Sequence, residues 1–377
     1  MISRTILMLT FLWAGAALAE SDLAAETRAA ADALEAASVS LQEAEGARDR
    51  IRALTATVKA FEFGLEAMRE GLRRATIREA QLSLQLEARN AEIAELLAAL
   101  QAIGATPPPA LMLHPSGAIG AARSAMILSE VTPALNARAA ALRRDLDEVR
   151  TLRLLQQNSA DTLQSGLKGA QSARTKLSQA VANRTDLPQR FTEDPVRTAI
   201  LLAATETLDG FATGLVDINA DQVSDPDTDI SIRKGALQLP VQGRILHRAG
   251  QSDAAGVTRP GIIIATRPRA LVTSPTAATI RYLGPLLNLG NVAILEPQSD
   301  MLFVFAGLDQ VFGEVGQVIP EDAPVGLMGG DTAEIGTILS LSGDGTGTDR
   351  SETLYIEVRQ GNRPVDPESW FQTKKDG

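Results

Sequence analysis

An apolar stripe with a seven-residue period runs through residues 21 to 103, a stretch that contains no proline. Ile51, Leu54, Val58, Phe61, Leu65, Met68 and Leu72 set its register, and Leu82, Leu86, Ile93, Leu96, Leu100 and Ile103 keep it. Ser40, Glu79 and Arg89 interrupt the stripe, and its only glycines are Gly46, Gly64 and Gly71. A straight α-helix drifts away from a 3.5-residue repeat, so a stripe of this length stays facing a partner only if two helices supercoil. At about 1.5 Å per residue the predicted rod is roughly 120 Å long. The composition agrees: aromatic residues are only 3% of the chain, whereas Ala, Leu, Glu and Arg abound, a mixture that suits packed helices.

Gly104 and Pro107-Pro108-Pro109 end this helix, and residues 111–117, with His114, are expected to form a tip. A second heptad run follows on Leu128, Val131, Leu135, Ala139, Leu142, Leu146 and Val149, and resumes at Leu163, Leu167, Ala170, Leu177 and Val181. The short connection and similar lengths favour an antiparallel hairpin within one chain over residues 20–187, with an intermolecular dimer as the alternative. Pro188 closes the second arm. One helix is expected from about Asp194 to Asp217, capped by Thr192 or Asp194 with Pro195 in its first turn. Its apolar face (Val196, Ile200, Leu201, Ala204, Leu208, Phe211, Leu215) is too broad for a solvated linker, so something must cover it.

Residues 218–235 are acidic and turn-prone, reading as a linker. From 236 to 377 short β-rich runs alternate with Gly and Pro, among them 244–246, 261–264, 278–280, 292–295, 302–305 and 354–358. This is the pattern of a compact antiparallel β-domain. The fold class read from the sequence is therefore α+β: a long coiled-coil hairpin, a helix in the region 188–217, and a C-terminal all-β domain.

The first 19 residues combine Arg4, the apolar core 6–13 and Ala17-Leu18-Ala19, the layout of a cleaved secretory signal. The apolar core is shorter than the about 20 residues of a membrane anchor. Export to the periplasm is expected. Cleavage removes a basic residue and no acid, making the mature chain more acidic than its formal net charge of −10. Nucleic acid and anionic lipid are poor partners for such a surface. With no cysteine, disulfides and thiolate metal sites are excluded.

The β-domain, over about residues 236–375, resembles the LytM-type fold of zinc-dependent peptidoglycan endopeptidases. Leu239-Pro240-Val241-Gln242-Gly243 resembles the family's first strand. Arg259-Pro260-Gly261-Ile262-Ile263 stands where active members carry H-x-G-x-D, and Phe305-Ala306-Gly307-Leu308 where they carry Y-x-H-L. Thr353-Leu354-Tyr355-Ile356-Glu357 stands where they carry H-x-H-F-E, and Val365-Asp366-Pro367-Glu368-Ser369-Trp370 also fits. Arg259, Ile263, Gly307, Thr353 and Tyr355 thus replace the metal-site residues. A hydrolytic zinc site needs about three imidazole or carboxylate ligands and an open position. The chain has two histidines, His114 and His247, both outside these motifs.

Loss of ligands within a retained frame resembles the EnvC-like murein hydrolase activators, which share the order of signal, coiled coil and degenerate LytM domain. The resemblance implies a protein without catalysis, metal or cofactor. Such a protein binds and switches on periplasmic N-acetylmuramoyl-L-alanine amidases through the former zinc groove, and docks to an FtsEX-type ABC transporter through the coiled coil. Contact with peptidoglycan is also implied. An internal helix, matched here by position at 195–217, occupies the groove until the rod changes shape. Tyr355, Arg359, Arg259 and Thr353 are the candidate groove residues. By strand alternation Thr353, Tyr355, Glu357 and Arg359 share a face, and Tyr and Arg favour interface hot spots. Two other readings stand beside this one: a structural periplasmic coiled-coil adaptor, and an endopeptidase with unrecognised ligands. Asp344–Asp349 is read as a hairpin tip and Gly329-Gly330 as a turn.

Overall fold

The computed structural model describes residues 29, 31–105, 117–184, 187–191, 195–218, 230–252, 256, 258–331, 352–361 and 363–372. The expected signal sequence at 1–19, Pro107 to Pro109 and His114, the acidic stretch 221–229 and residues 344–349 lie outside the described residues. Among the described residues no helix is long and apolar enough to cross a membrane. The architecture is α+β, long helices followed by an antiparallel sheet domain.

The chain divides into two compact units: residues up to Ala67 together with Gln164 onward, and Met68–Leu163. Among the described residues four helices build the hairpin: α1 (31–43), α2 (Ala47–Ala88), α3 (Asn90–Ala105) and α4 (Gly117–Ala182). The uninterrupted first helix expected from sequence is broken twice, at residues 44–46 and at Arg89. Gly46 sits just outside α2, where its carbonyl accepts from Arg50 N at 3.0 Å and its high helical cost of about 1 kcal/mol is avoided. At Arg89 the amide is shared between the carbonyls of Gln85 and Leu86, a local tightening after which the helix resumes.

In the Met68–Leu163 unit the two arms run antiparallel within the chain. Arg78 pairs with Glu148 at 2.8 Å and Arg153 with Glu79 at 3.0 Å. Glu79 interrupts the apolar stripe, and the long side chain of Arg153 reaches in from an exposed position to meet it. Leu72, Ala75, Leu82, Leu96 and Val149 are buried. Pro133 lies inside α4, removing one helical hydrogen bond that the heptad pattern gave no reason to expect.

In the other unit the base of the hairpin packs on the sheet domain. Ile51, Leu54, Val58, Ala173 and Leu177 form a cluster with Leu271, Phe312 and Leu327. Glu62 ties three elements together: its carboxylate accepts from Arg174 Nη2 at 2.8 Å and from the backbone amide of Leu271 at 3.0 Å. Burial pushes the Glu62 carboxyl above its ordinary range, against the opposing pull of Arg174.

The sheet comprises β1 (Gly243–His247), β2 (Ile262–Thr266), β3 (Leu271–Thr273), β4 (Ala278–Pro285), β5 (Asn291–Gln298), β6 (Met301–Val311), β7 (Val318–Ile319), β8 (Pro324–Met328), β9 (Glu352–Gln360) and β10 (Arg363–Val365). Its main path is β1-β2-β9-β6-β5-β4-β7, with β10 beside β9 and the β3-β8 pair joined to the far end of β6. The first strand starts at Gly243, not at Leu239 as the sequence suggested. Leu237 is held instead by a parallel bridge to Phe371, and the carbonyl of Pro240 accepts from Thr273 N, so this segment enters the domain as a brace.

β6 explains why its sequence reads as a continuous apolar run. Met301, Phe303, Phe305 and Leu308 enter a core with Ile262, Ile264, Leu354, Ile356 and Val358. Leu302, Val304 and Ala306 enter a second cluster on the opposite face. A strand buried on both sides has no polar alternation to show.

That second face is covered by helix. The single helix expected over 194–217 is two, α5 (Pro195–Ala204) and α6 (Leu208–Ile218). The chain turns at Thr205-Glu206-Thr207, where the Thr207 hydroxyl caps α6 by accepting from Gly210 N at 3.1 Å. Gly214 lets the helices approach closely: a Cβ there would lie 2.4 Å from Leu201 Cδ1.

Candidate partner-binding face

β9 carries the site. Leu354, Ile356 and Val358 point into the first core, which leaves Thr353, Tyr355, Glu357 and Arg359 on the other face. Register then sets their neighbours: Tyr355 stands between Ile263 of β2 and Ala306 of β6, Glu357 beside Val304, and Arg359 beside Leu302. The positions that the resemblance assigned to a metal site are thus brought together. At Gly307 the backbone has φ 96°, and a Cβ would lie 2.7 Å from the Thr353 carbonyl, so β6 passes β9 too closely for a side chain there.

The polar groups of this face form one chain. Gly261 N donates to the Tyr355 hydroxyl at 3.2 Å, and that hydroxyl donates to Glu357 Oε2 at 2.6 Å. The other oxygen of Glu357 accepts from Arg359 Nη1 at 2.8 Å. Arg359 Nη2 continues to Asp209 Oδ1 of α6 at 2.7 Å. Burial and the Glu357 carboxylate hold the Tyr355 phenol far above its ordinary range, with an opposing influence from Arg259. The phenol therefore stays protonated and acts as a donor.

The residues do not fit a zinc ion. Ile263 and Gly307 offer no donor atom, Tyr355 is committed to Glu357 and Gly261, and the charge of Arg259 is felt at the phenol. Zinc binding asks for deprotonated or neutral ligands in a tetrahedral set. Among the described residues no group of three or more His, Cys, Asp or Glu side chains could hold a metal.

The four candidate residues fare differently. Arg259 and Thr353 are exposed at the rim, and Tyr355 is partly buried. The side chain of Arg359, an expected groove-wall residue, is only 1% exposed, because α6 lies over it. Phe211, Ala212 and Leu215 of α6 are buried against Tyr282, Leu286, Val292, Ile294, Leu302, Val304 and Ala306. The ring of Phe211 meets that of Tyr282 edge-on, with centroids 4.8 Å apart. Burying Phe211 and Leu215 contributes on the order of 3–6 kcal/mol before entropic costs. Asp209 and Glu357 complete the constellation; the sequence places Glu357 on the same strand face, but gives Asp209 no role. The signal for Glu357 was present in the strand alternation. Asp209 carried none, since in the single helix expected over 194–217 it is one polar residue beside a broad apolar face.

No family model matches the chain. It is 25% identical over 139 residues to the uncharacterized protein NMB1333 of Neisseria meningitidis serogroup B, covering 37% of this chain and 20% of that one. Among solved structures, Helicobacter pylori Csd3 aligns with a TM-score of 0.28 at 16% identity, covering 37% of this chain and 33% of its own. A zinc-containing peptidase from Vibrio cholerae aligns with a TM-score of 0.28 at 23% identity, covering 36% and 40%. The catalytic domain of the antimicrobial peptidase lysostaphin from Staphylococcus simulans aligns with a TM-score of 0.28 at 15% identity, covering 35% and 93%. The chain therefore spans a fifth of the Neisseria protein and about a third of Csd3, and its similarity to each is partial.

Proposed function

We propose that the face bearing Tyr355, Glu357 and Arg359 is a protein-docking surface that α6 keeps covered, and that the chain is a non-catalytic activator of cell-wall amidases. One observation carries this reading: α6 places a carboxylate on Arg359 and an aromatic ring on Tyr282, on the sheet face that also carries Tyr355 and Glu357. A side-chain set without metal donors cannot hydrolyse a peptide by zinc chemistry, but a planar cation, a tyrosine and an apolar floor suit protein recognition. In this reading the partner is a periplasmic N-acetylmuramoyl-L-alanine amidase, and the rim residues Arg259 and Thr353 extend the contact. The hairpin receives the releasing signal from an FtsEX-type transporter, and the output is septal peptidoglycan splitting. The leader-like residues 1–19 support a periplasmic setting.

A cover needs only a few kcal/mol of preference for the face to keep the open form below about 1%. The test is dye release from labelled peptidoglycan by purified amidase, alone, with the full chain, and with a chain lacking 195–217. The amidase alone and the full chain alone should release little, and the truncated chain should raise amidase output several-fold. Wall fragments released by the full chain without amidase would defeat the reading.

A further inference from the structure

We propose that residues 187–191 form a β-clasp on the β7 edge of the sheet, and that this clasp, not the α6 contact alone, controls whether α5 and α6 leave the face. The inference rests on the reading of α6 as a removable cover and concerns how the cover is held.

After α4 the chain does not wander to α5. Val318 N donates to the Pro188 carbonyl at 2.9 Å, and Arg190 N donates to the Gly316 carbonyl at 2.9 Å. Gln189 and Gln317 face each other as an antiparallel bridge. The segment is thus an added strand on an edge that β7 would otherwise present unpaired. Leu187 packs on the sheet core at one end. At the other, the ring of Phe191 lies 4.8 Å from the guanidinium carbon of Arg281, which is itself paired with Glu296. The fit at the crossing is tight: Gly316 has φ 88°, and a Cβ there would stand 2.0 Å from the Phe191 carbonyl oxygen.

Two geometric facts make this segment a control point. From Phe191 to Pro195 is four peptide steps, at most about 14 Å of chain, so α5 cannot travel far while the clasp is seated. On the other side, the last turn of α4 rests over a cavity of about 230 Å³ lined by Ser178, Val181, Leu187, Phe312, Gln317 and Ile319. Packed interiors transmit strain because they lack such space. Here α4 has room to shift at its end, and the chain that leaves it runs directly into Leu187 and the two clasp hydrogen bonds. Movement of the second arm would then peel the clasp from β7 before the apolar contacts of α6 break.

The experiment uses the absence of native cysteine. Gln189→Cys and Gln317→Cys are introduced together in the full chain, at facing positions whose Cα separation in an antiparallel pair suits a disulfide. Hydrogen exchange of the α6 amides, including Phe211 and Leu215, is then compared in oxidised and reduced forms of the same protein. About tenfold slower exchange in the oxidised form is expected, with β5 and β6 unchanged. Equal α6 rates in the two forms overturn the clasp, and failure of the pair to oxidise contradicts its register. Arg190→Pro, which removes the clasp donor to the Gly316 carbonyl, should instead speed α6 exchange several-fold. An amidase assay on the same samples separates the two readings. Slowed exchange with no effect of the protein on amidase in either form leaves the clasp standing and defeats the proposed function.

Discussion

Arg359 Nη2 and Asp209 Oδ1 lie 2.7 Å apart, yet the arginine side chain is 1% exposed and the aspartate 70%. The cation belongs to the sheet and the anion to the helix that covers it. Seating α6 removes the guanidinium from water and gives it a second carboxylate beside Glu357. Lifting α6 loses the ion pair but rehydrates the arginine. The net contribution is therefore smaller than the distance suggests, and the pair sets the register of α6 more than its affinity.

Asp209→Ala should loosen α6 by about 1 kcal/mol, discounted for the solvent around the carboxylate. Arg359→Ala alone should cost more, since it also strands the buried carboxylate of Glu357. In a double-mutant cycle read by α6 amide exchange, the pair should show coupling of about 0.5–3 kcal/mol. Strictly additive effects would mean that the contact does not hold the helix.

Phe211→Ala removes a fully buried ring from the α6 interface. Core Phe→Ala changes cost about 3–5 kcal/mol, comparable to the whole docking contribution of α6. The expected result is a helix released from an intact sheet domain. Limited proteolysis should cut near residues 205–207 while β5 and β6 retain exchange protection. Loss of protection throughout the sheet would show that α6 is part of the fold and not a cover.

Glu62 gives a pH dependence. Its carboxyl is raised above 4.5 by burial, so the folded chain binds this proton more readily than the unfolded chain. The associated stabilisation is complete below 4.5 and is lost as pH rises through the higher folded value. Relative to Glu62→Gln, the wild type should lose thermal stability as pH rises above 4.5. A wild type that gains on the variant over that range would mean that the charge of Arg174 outweighs burial.

Zinc should find no purchase on the Tyr355 face. Equilibrium dialysis against micromolar zinc should leave well under one equivalent bound, and a chelator should not move the melting temperature. One tightly held equivalent, lost on Tyr355→Phe, would contradict the assignment of these residues.

Much of this fold was legible in the sequence. The heptad stripe on Ile51, Leu54 and Val58 gave the hairpin, and the apolar runs gave β2, β4, β5, β6 and β9. The strands β3, β7 and β10 have only two or three residues, too few for a period to declare itself, and β8 carries Pro324 and Gly326, which read as turn residues. The breaks at Gly46 and Thr205–Thr207 depend on capping bonds that outweigh an otherwise continuous apolar face. Alternation placed Tyr355, Glu357 and Arg359 on one side of β9. It could not show that Arg359 is buried, since that follows from a helix 150 residues away in the chain. Asp209 was hidden for the same reason.

The affinity of a purified N-acetylmuramoyl-L-alanine amidase for the full chain, compared with Asp209→Ala, Phe211→Ala and a chain lacking 195–217, tests the covered face most directly. A site available only in a small open fraction binds more weakly by that fraction, so uncovering it should tighten Kd at least about tenfold in the truncated chain and progressively in the two variants. An affinity that is unchanged or weaker in all three would contradict the account.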